Sequence, residues 1–381
     1  MFKAKSNVLV WMGLLALLVL VLAACAPAAA PAAPAAAPAE AAATEAAPAE
    51  AAATEAATEA ATEAATEAAA AEAAPAEGAK PLVALVYGVA GDGFYVTMEK
   101  GARAKAEEMG VDFMADGPAQ FDATLQRPIL DAVIAKNPAA ICIAATDKQA
   151  MIEPMKAAFD KGINIISVDT FIGDTAGDYS TGAVTFPLSY VGSDNAQGGE
   201  IACKAIIDGM GGKGKIYIQN VKPGVSTTDQ RADGCIAAID ATNGAVTLVG
   251  MDYNDDNSGK AAEQTAAVLQ REGDLGGVFG TNLFSARGAA QAVSNAGLSG
   301  VVKVAAFDAP EDAIMALNAK IVDIVIAQHP YEMGEKCIEY AMAAIDGKNS
   351  DIPKRWPTGY TIITRENVDT PESQQAIYSS K

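Results

Sequence analysis

The sequence holds a single histidine, His329, and no cluster of His and Cys at metal-ligand spacing. It also lacks a G-x-S-x-G elbow and a phosphate-binding loop. Gly91 and Gly93 form an isolated G-x-G, and the dinucleotide fingerprint fails beyond it. These absences remove the common routes to metal, nucleophilic and nucleotide chemistry, so a role without catalysis, metal or cofactor is expected. Basic charge is scarce too: 27 Lys and Arg stand against 47 Asp and Glu, for a net charge of −20. A nucleic acid or an anionic membrane surface wants a basic face, so neither suits this chain as a direct partner. After residue 24 no stretch is long and apolar enough to cross a bilayer.

What is present begins at the N-terminus. Lys3 and Lys5 precede an apolar run over 8–24 that ends in Leu22-Ala23-Ala24-Cys25. A positive segment, an apolar segment and small residues before a Cys resemble a bacterial lipoprotein signal. Residues 1–24 are therefore expected to be removed and Cys25 to carry lipid. Acyl chains hold a protein to a membrane because each buried methylene is worth about 0.8 kcal/mol. Residues 25–79 are almost wholly Ala, Pro, Glu and Thr, with Thr-Glu pairs recurring every four residues from Thr54 to Glu67. Such sequence has no apolar surface beyond methyl groups and reads as a disordered, self-repelling tether. Nine Glu against Lys3 and Lys5 give residues 1–79 a charge of −7, which leaves −13 for the remainder. The expected location is outside the cytoplasm, at a membrane through lipid.

From residue 82 the texture alternates. Apolar runs at 82–87, 111–114, 140–144 and 163–168 are separated by helical spacing at 96–109, 124–136 and 151–159. The rhythm restarts with helices at 196–207, 229–241, 261–270 and 286–296, and strands at 215–219, 246–250, 277–280 and 302–307. Apolar strands alternating with helices predict parallel sheets covered on both faces, here as two α/β units in tandem.

Several segments carry a family resemblance. ALVYGVAGDGFYVTMEKGARAKAEEMG from Ala84 resembles the opening strand, loop and helix of type I periplasmic binding proteins of the ribose- and galactose-binding kind. IISVD at 165–169, VGSDNAQGGEIA at 191–202, STTDQRADG at 226–234, VFGTN at 278–282, VAAFD at 304–308 and IAQ at 326–328 follow in order at family-like spacing. The resemblance covers 81–381. It implies two Rossmann-like lobes joined by a three-strand hinge, with ligand between them. Residues 80–193 and 329–359 would form the N-terminal lobe, and 194–328 and 360–381 the C-terminal lobe. It further implies a monomeric substrate-binding protein of an ABC importer, with a small sugar and the permease as partners. A nucleoside or other polar small molecule is the alternative ligand.

The residue types suit a sugar, which offers apolar C–H faces and a rim of hydroxyls. The resemblance places Asp92, Phe94, Tyr95, Asp169, Arg231, Asn282, Asp308 and Gln328 at the ligand. Phe94 and Tyr95 would stack, or else pack as core aromatics at a helix start. Asp169 and Asp308 end apolar strands, where a carboxylate can accept from adjacent hydroxyls or cap a helix. Arg231, Asn282 and Gln328 supply donors. Asp92 stands where the ribose type has Asn, closer to the galactose pattern, and Gly88 replaces a small polar residue. Ala144 and Ala145 stand where a polar contact is common, leaving Asp147 or Lys148 to supply it. The second lobe shows no clear aromatic wall; at 252–257 only Tyr253 could stack, with Phe171 as compensation. Cys203 and Cys235 fall on consecutive helices and either pair or remain thiols, while Cys142, inside a strand, reads as a buried thiol.

Overall fold

The computed structural model describes residues 80–378. The expected signal peptide, Cys25 and tether lie outside the described residues, as do 379–381. None of the described helices is long and apolar enough to cross a membrane.

The chain alternates strand and helix as its pattern predicts. β1 (Leu82–Val86), α1 (Gly93–Met109), β2 (Asp112–Asp116), α2 (Ala123–Ile134), β3 (Ala140–Ile143), α3 (Ile152–Asp160), β4 (Asn164–Val168) and β5 (Tyr190–Ser193) come first. Then come α4 (Asn195–Gly209), β6 (Gly214–Asn220), α5 (Ser226–Asp240), β7 (Val246–Tyr253), α6 (Ser258–Arg271), β8 (Gly277–Gly280), α7 (Leu283–Asn295) and β9 (Lys303–Phe307). The last part adds α8 (Glu311–Asn318), β10 (Ile324–Ala327), α9 (Pro330–Ile345), β11 (Arg355–Thr358), β12 (Thr361–Ile363) and α10 (Pro371–Gln375).

Two six-stranded sheets result, ordered β11-β5-β4-β3-β1-β2 and β12-β10-β9-β8-β6-β7. All neighbours are parallel except β12, which runs antiparallel to β10. The inner strands β1, β3, β8 and β10 are buried at nearly every residue, as continuous apolar runs should be. The edge strands β2 and β7 are only partly covered, so the expectation of apolar strands throughout holds for the inner strands alone.

The chain passes between the sheets three times: after β5, after β10 and between β11 and β12. Ser193 ties the three passages together. Its Oγ donates to Gln328 Oε1 at 2.8 Å and lies 3.1 Å from Thr358 Oγ1. Helices pack closely where glycine permits. A Cβ on Gly199 would stand 1.9 Å from the Arg231 carbonyl, and one on Gly234 equally close to the Ala196 carbonyl, so α4 and α5 meet backbone to backbone. Gly101 and Gly334 play the same part between α1 and α9.

Each lobe contains one disulfide. Cys203 and Cys235 join α4 to α5. Cys142 bonds Cys337, 195 residues away, which corrects the expectation of a free buried thiol. The partner was hidden because α9 returns to the first lobe only after the chain has traversed the second.

Candidate functional site

Sidechains from both lobes converge at the carboxyl ends of the strands, where ligands sit in open α/β sheets. In the first lobe, β1 runs into a loop that ends at Asp92, whose Oδ1 accepts from Phe94 N–H at 2.8 Å and caps α1. The cap places Phe94 and Tyr95 in the first turn, buried, with their rings edge to face at 5.1 Å. Gly88 makes room for them: a Cβ there would meet the Tyr95 hydroxyl at 2.4 Å and the Phe121 ring at 2.5 Å. The Tyr95 hydroxyl donates to Asp169 Oδ2 at 2.8 Å.

Asp169 and Asp308 occupy matching places in the two lobes. Each follows a buried strand in the left-handed region, with φ of 62° and 75°, a conformation Asp tolerates better than most residues. Each backbone N–H reaches the neighbouring strand, Asp169 to Val191 O and Asp308 to Ile326 O. Their side chains differ. Asp308 Oδ2 accepts from Leu283 N–H at 3.1 Å, and its Oδ1 accepts from Gln328 Nε2 at 2.8 Å and the Tyr378 hydroxyl at 3.1 Å. It thus caps α7, across the sheet, and not the helix that follows it in sequence.

Arg231, 2 % exposed, is held on α5. Its Nε donates to Asn195 Oδ1 at 2.9 Å and its Nη1 to Thr281 O at 3.0 Å. The guanidinium carbon lies 3.9 Å from the Phe307 ring centroid, a favourable place for a cation. Asn282 caps α7 through Ser285 N–H and donates from Nδ2 to Asp256 Oδ1 at 2.6 Å.

Asp92, Phe94, Tyr95, Asp169, Arg231, Asn282, Asp308 and Gln328 all line one cleft, with about 410 Å³ of empty space that is partly open to solvent. Sequence reasoning did not single out Asp256, Phe121, Thr227 or Thr228, which line it as well. Thr227 and Thr228 lie in the segment whose Arg231 was noticed. Asp256 lies in the acidic stretch where a stacking ring was sought. Tyr253 is absent from the lining and presents its carbonyl to Gln264. Phe171 packs against Tyr190 at 5.2 Å, Asp147 caps the turn at Gln149 and Ala150, and Lys148 pairs with Asp174; none of the three lines the cavity. His329 faces Thr361 and Glu332.

The lobes also touch away from their connections. Lys148 N–H donates to Gly224 O at 2.9 Å, Phe171 N–H to Ser226 Oγ at 3.1 Å, and Lys222 Nζ to Phe121 O at 2.6 Å. Gly224, at φ 90°, lies on this contact, and a Cβ would come within 2.9 Å of Asp147 Oδ2.

Crowded carboxylates raise one another's proton affinity. Burial, then the charge of Asp308, push Asp92 up to about 8, against the bond from Phe94 N–H. Burial pushes Asp169 to about 6, opposed by Arg231 and the Tyr95 hydroxyl. Burial and Asp308 push Asp256 to about 6, opposed by Asn282 and Lys222. A folded carboxyl raised above its unfolded value of 3.8 holds its proton more tightly than the unfolded chain. Stability contributed by Asp92 is therefore present at low pH and lost as pH rises toward about 8, at most a few kcal/mol. Asp92→Asn keeps an N-cap but cannot ionise. Its melting temperature should fall less than the wild type's between pH 5.5 and pH 8; superimposable pH profiles would remove Asp92 as the titrating group.

A protein-family model described as periplasmic binding protein domain matches residues 83–349. A crystal structure of an ABC transporter solute-binding protein from Agrobacterium vitis, bound with α-D-tagatopyranose, is 46% identical. It covers 79% of this chain and 100% of its own, with a TM-score of 0.76. The D-allose-binding periplasmic protein of Escherichia coli is 29% identical over 63% of this chain and 77% of its own length. The ribose import binding protein of Bacillus subtilis is 27% identical over 67% and 78%.

Proposed function

The chain belongs to the periplasmic binding protein family, and from that premise we propose that it captures a small neutral sugar between its lobes and delivers it to an ABC permease. One observation carries the reading: aromatic rings from the first lobe and polar groups from both converge on a single, partly open cavity. Rings suit the C–H face of a pyranose, and carboxylate, amide and guanidinium groups suit its rim. The relatives and the solved neighbour that bind tagatose, allose and ribose support the same class of ligand. The matched family and the sugar-binding relatives support a receptor role.

A thermal-shift screen of the protein against D-tagatose, D-allose, D-ribose, D-galactose, D-fucose and nucleosides tests this. A ligand at a hundred times its Kd should add about 2.7 kcal/mol of stability. A shift with a nucleoside and none with any sugar would replace the reading by its alternative.

We also propose that the receptor is extracytoplasmic and anchored by lipid on Cys25. Two disulfides support an oxidising location, and Leu22-Ala23-Ala24-Cys25 supports the anchor. Cys25→Ser should release the protein or stall its precursor. A processed Cys25→Ser protein that still needs detergent to leave the membrane would rule the anchor out.

A further inference from the structure

The cavity is asymmetric. Its rings, Phe94, Tyr95 and Phe121, all come from the first lobe. The second lobe contributes none; its lining is Val221, Val225, Thr227, Thr228, Arg231, Asp256, Asn282, Asp308 and Gln328. Four carboxylates line the cavity, and Arg231 is the only basic side chain doing so among the described residues.

Asp256 is the second-lobe carboxylate with a single partner; Asp92 and Asp169, in the first lobe, also take one hydrogen bond each. Asp308 already takes three hydrogen bonds within the protein. Asp256 takes one, from Asn282, and has no salt-bridge partner among the described residues, whereas its neighbour Asp255 pairs with Lys260. Asp255 and Asp256 are consecutive residues with φ of 54° and 59°, a backbone that costs free energy outside glycine and is retained where surrounding structure enforces it. Asp256 also lies where the inner cavity meets an outer groove, which shares Val89, Phe121 and Asp256 with it. A second polar group awaits a partner nearby: Thr228 Oγ1 is buried without a hydrogen bond. Buried polar groups are normally paired, so both predict donors or acceptors on whatever fills the space.

We propose that Asp256, with Thr228, determines ligand specificity: the cleft selects sugars whose face toward the second lobe carries hydroxyl donors and rejects sugars carrying a carboxylate or phosphate. This rests on the sugar-receptor reading and adds the chemistry of the selected face. The first lobe's rings cover one face of the sugar, so the opposite face meets acceptors in place of a second ring. An anionic substituent meets the carboxyl groups of four aspartates and a single guanidinium.

The test is titration calorimetry of the wild type, Asp256→Asn and Asp255→Asn with D-tagatose, D-allose, D-galactose, D-fucose and D-galacturonate. The wild type should bind at least one neutral sugar and bind D-galacturonate at least about a hundredfold more weakly than D-galactose. Asp256→Asn should lose about tenfold for the neutral ligand, the scale of one charged contact, and narrow the gap to D-galacturonate while it remains folded. Asp255→Asn should match the wild type. Neutral-sugar affinity unchanged in Asp256→Asn, or D-galacturonate bound as well as D-galactose, overturns the specificity role and leaves the receptor reading standing. A wild type that binds none of the neutral sugars overturns the receptor reading and this inference with it.

Discussion

Arg231→Ala should lose at least about a hundredfold in affinity for the bound sugar, near 3 kcal/mol at 1.4 kcal/mol per tenfold. The guanidinium lines the cavity, is 2 % exposed and is fixed by Asn195, Thr281 and the Phe307 ring. A donor held in place before the ligand arrives loses little entropy on binding, so its removal costs more than that of a mobile surface group. The variant also leaves Asn195 Oδ1 and the Thr281 carbonyl without their donor, at about 1–3 kcal/mol each before relaxation. Stability should therefore fall together with affinity. Arg231→Lys separates the two effects: an ammonium can restore one contact and the charge but not the planar fork. It should regain stability and recover little affinity. Calorimetric titration with D-tagatose, beside circular-dichroism melts, reads both. Wild-type affinity in a folded Arg231→Ala protein would show that the ligand lies elsewhere. Asp308→Ala is a poorer probe, because three buried donors converge on that carboxylate and the fold should suffer first.

Removing the Cys142–Cys337 bond by a double Ala substitution should cost about 2–5 kcal/mol of unfolding free energy. The chain-entropy argument gives about 5 kcal/mol for a loop of 195 residues and about 4 kcal/mol for the 32-residue separation of Cys203 and Cys235. The longer bridge has a further structural consequence. It ties β3 to α9, the two parts of the first lobe that the whole second lobe separates in sequence. Without it the two parts of the first lobe are held by noncovalent contacts, including the α1–α9 contact at Gly101 and Gly334 and the pairing of β11 with β5. Equilibrium denaturation of the wild type and the double variant, each with and without reductant, measures the effect. A denaturation midpoint insensitive to reductant in the wild type would show that neither bridge contributes to stability.

The residues that sequence reasoning found and those it missed differ in one physical respect. Asp169 and Asp308 end apolar runs, and a carboxylate at such a place is visible against its neighbours. Helix starts were placed too late. Periodicity suggested Val96, Asp229 and Ala286, while the helices begin at Gly93, Ser226 and Leu283. In each case the missing first turn holds residues that line a pocket, and Phe94 and Tyr95 pack in the lobe's core as well. Phe94, Thr227 and Thr228 lie in those turns. Asp256 escaped notice for a related reason: in an acidic stretch, one carboxylate looks like another until the backbone turns it toward the cavity.

By itself the sequence determined the class of fold, because continuous apolar strands alternating with helices can be buried only as parallel sheets covered on both faces. It also determined the acidic character of the whole and the strand ends whose polar groups line the cavity. The tertiary structure alone decided which groups remain free to meet a ligand. Asp308 is spent on Leu283, Gln328 and Tyr378, whereas Asp256 is left with one partner and Thr228 with none. It also decided the pairing of Cys142 with Cys337. Both depend on contacts between segments far apart in the chain, and local pattern carries no record of which distant group will arrive as partner.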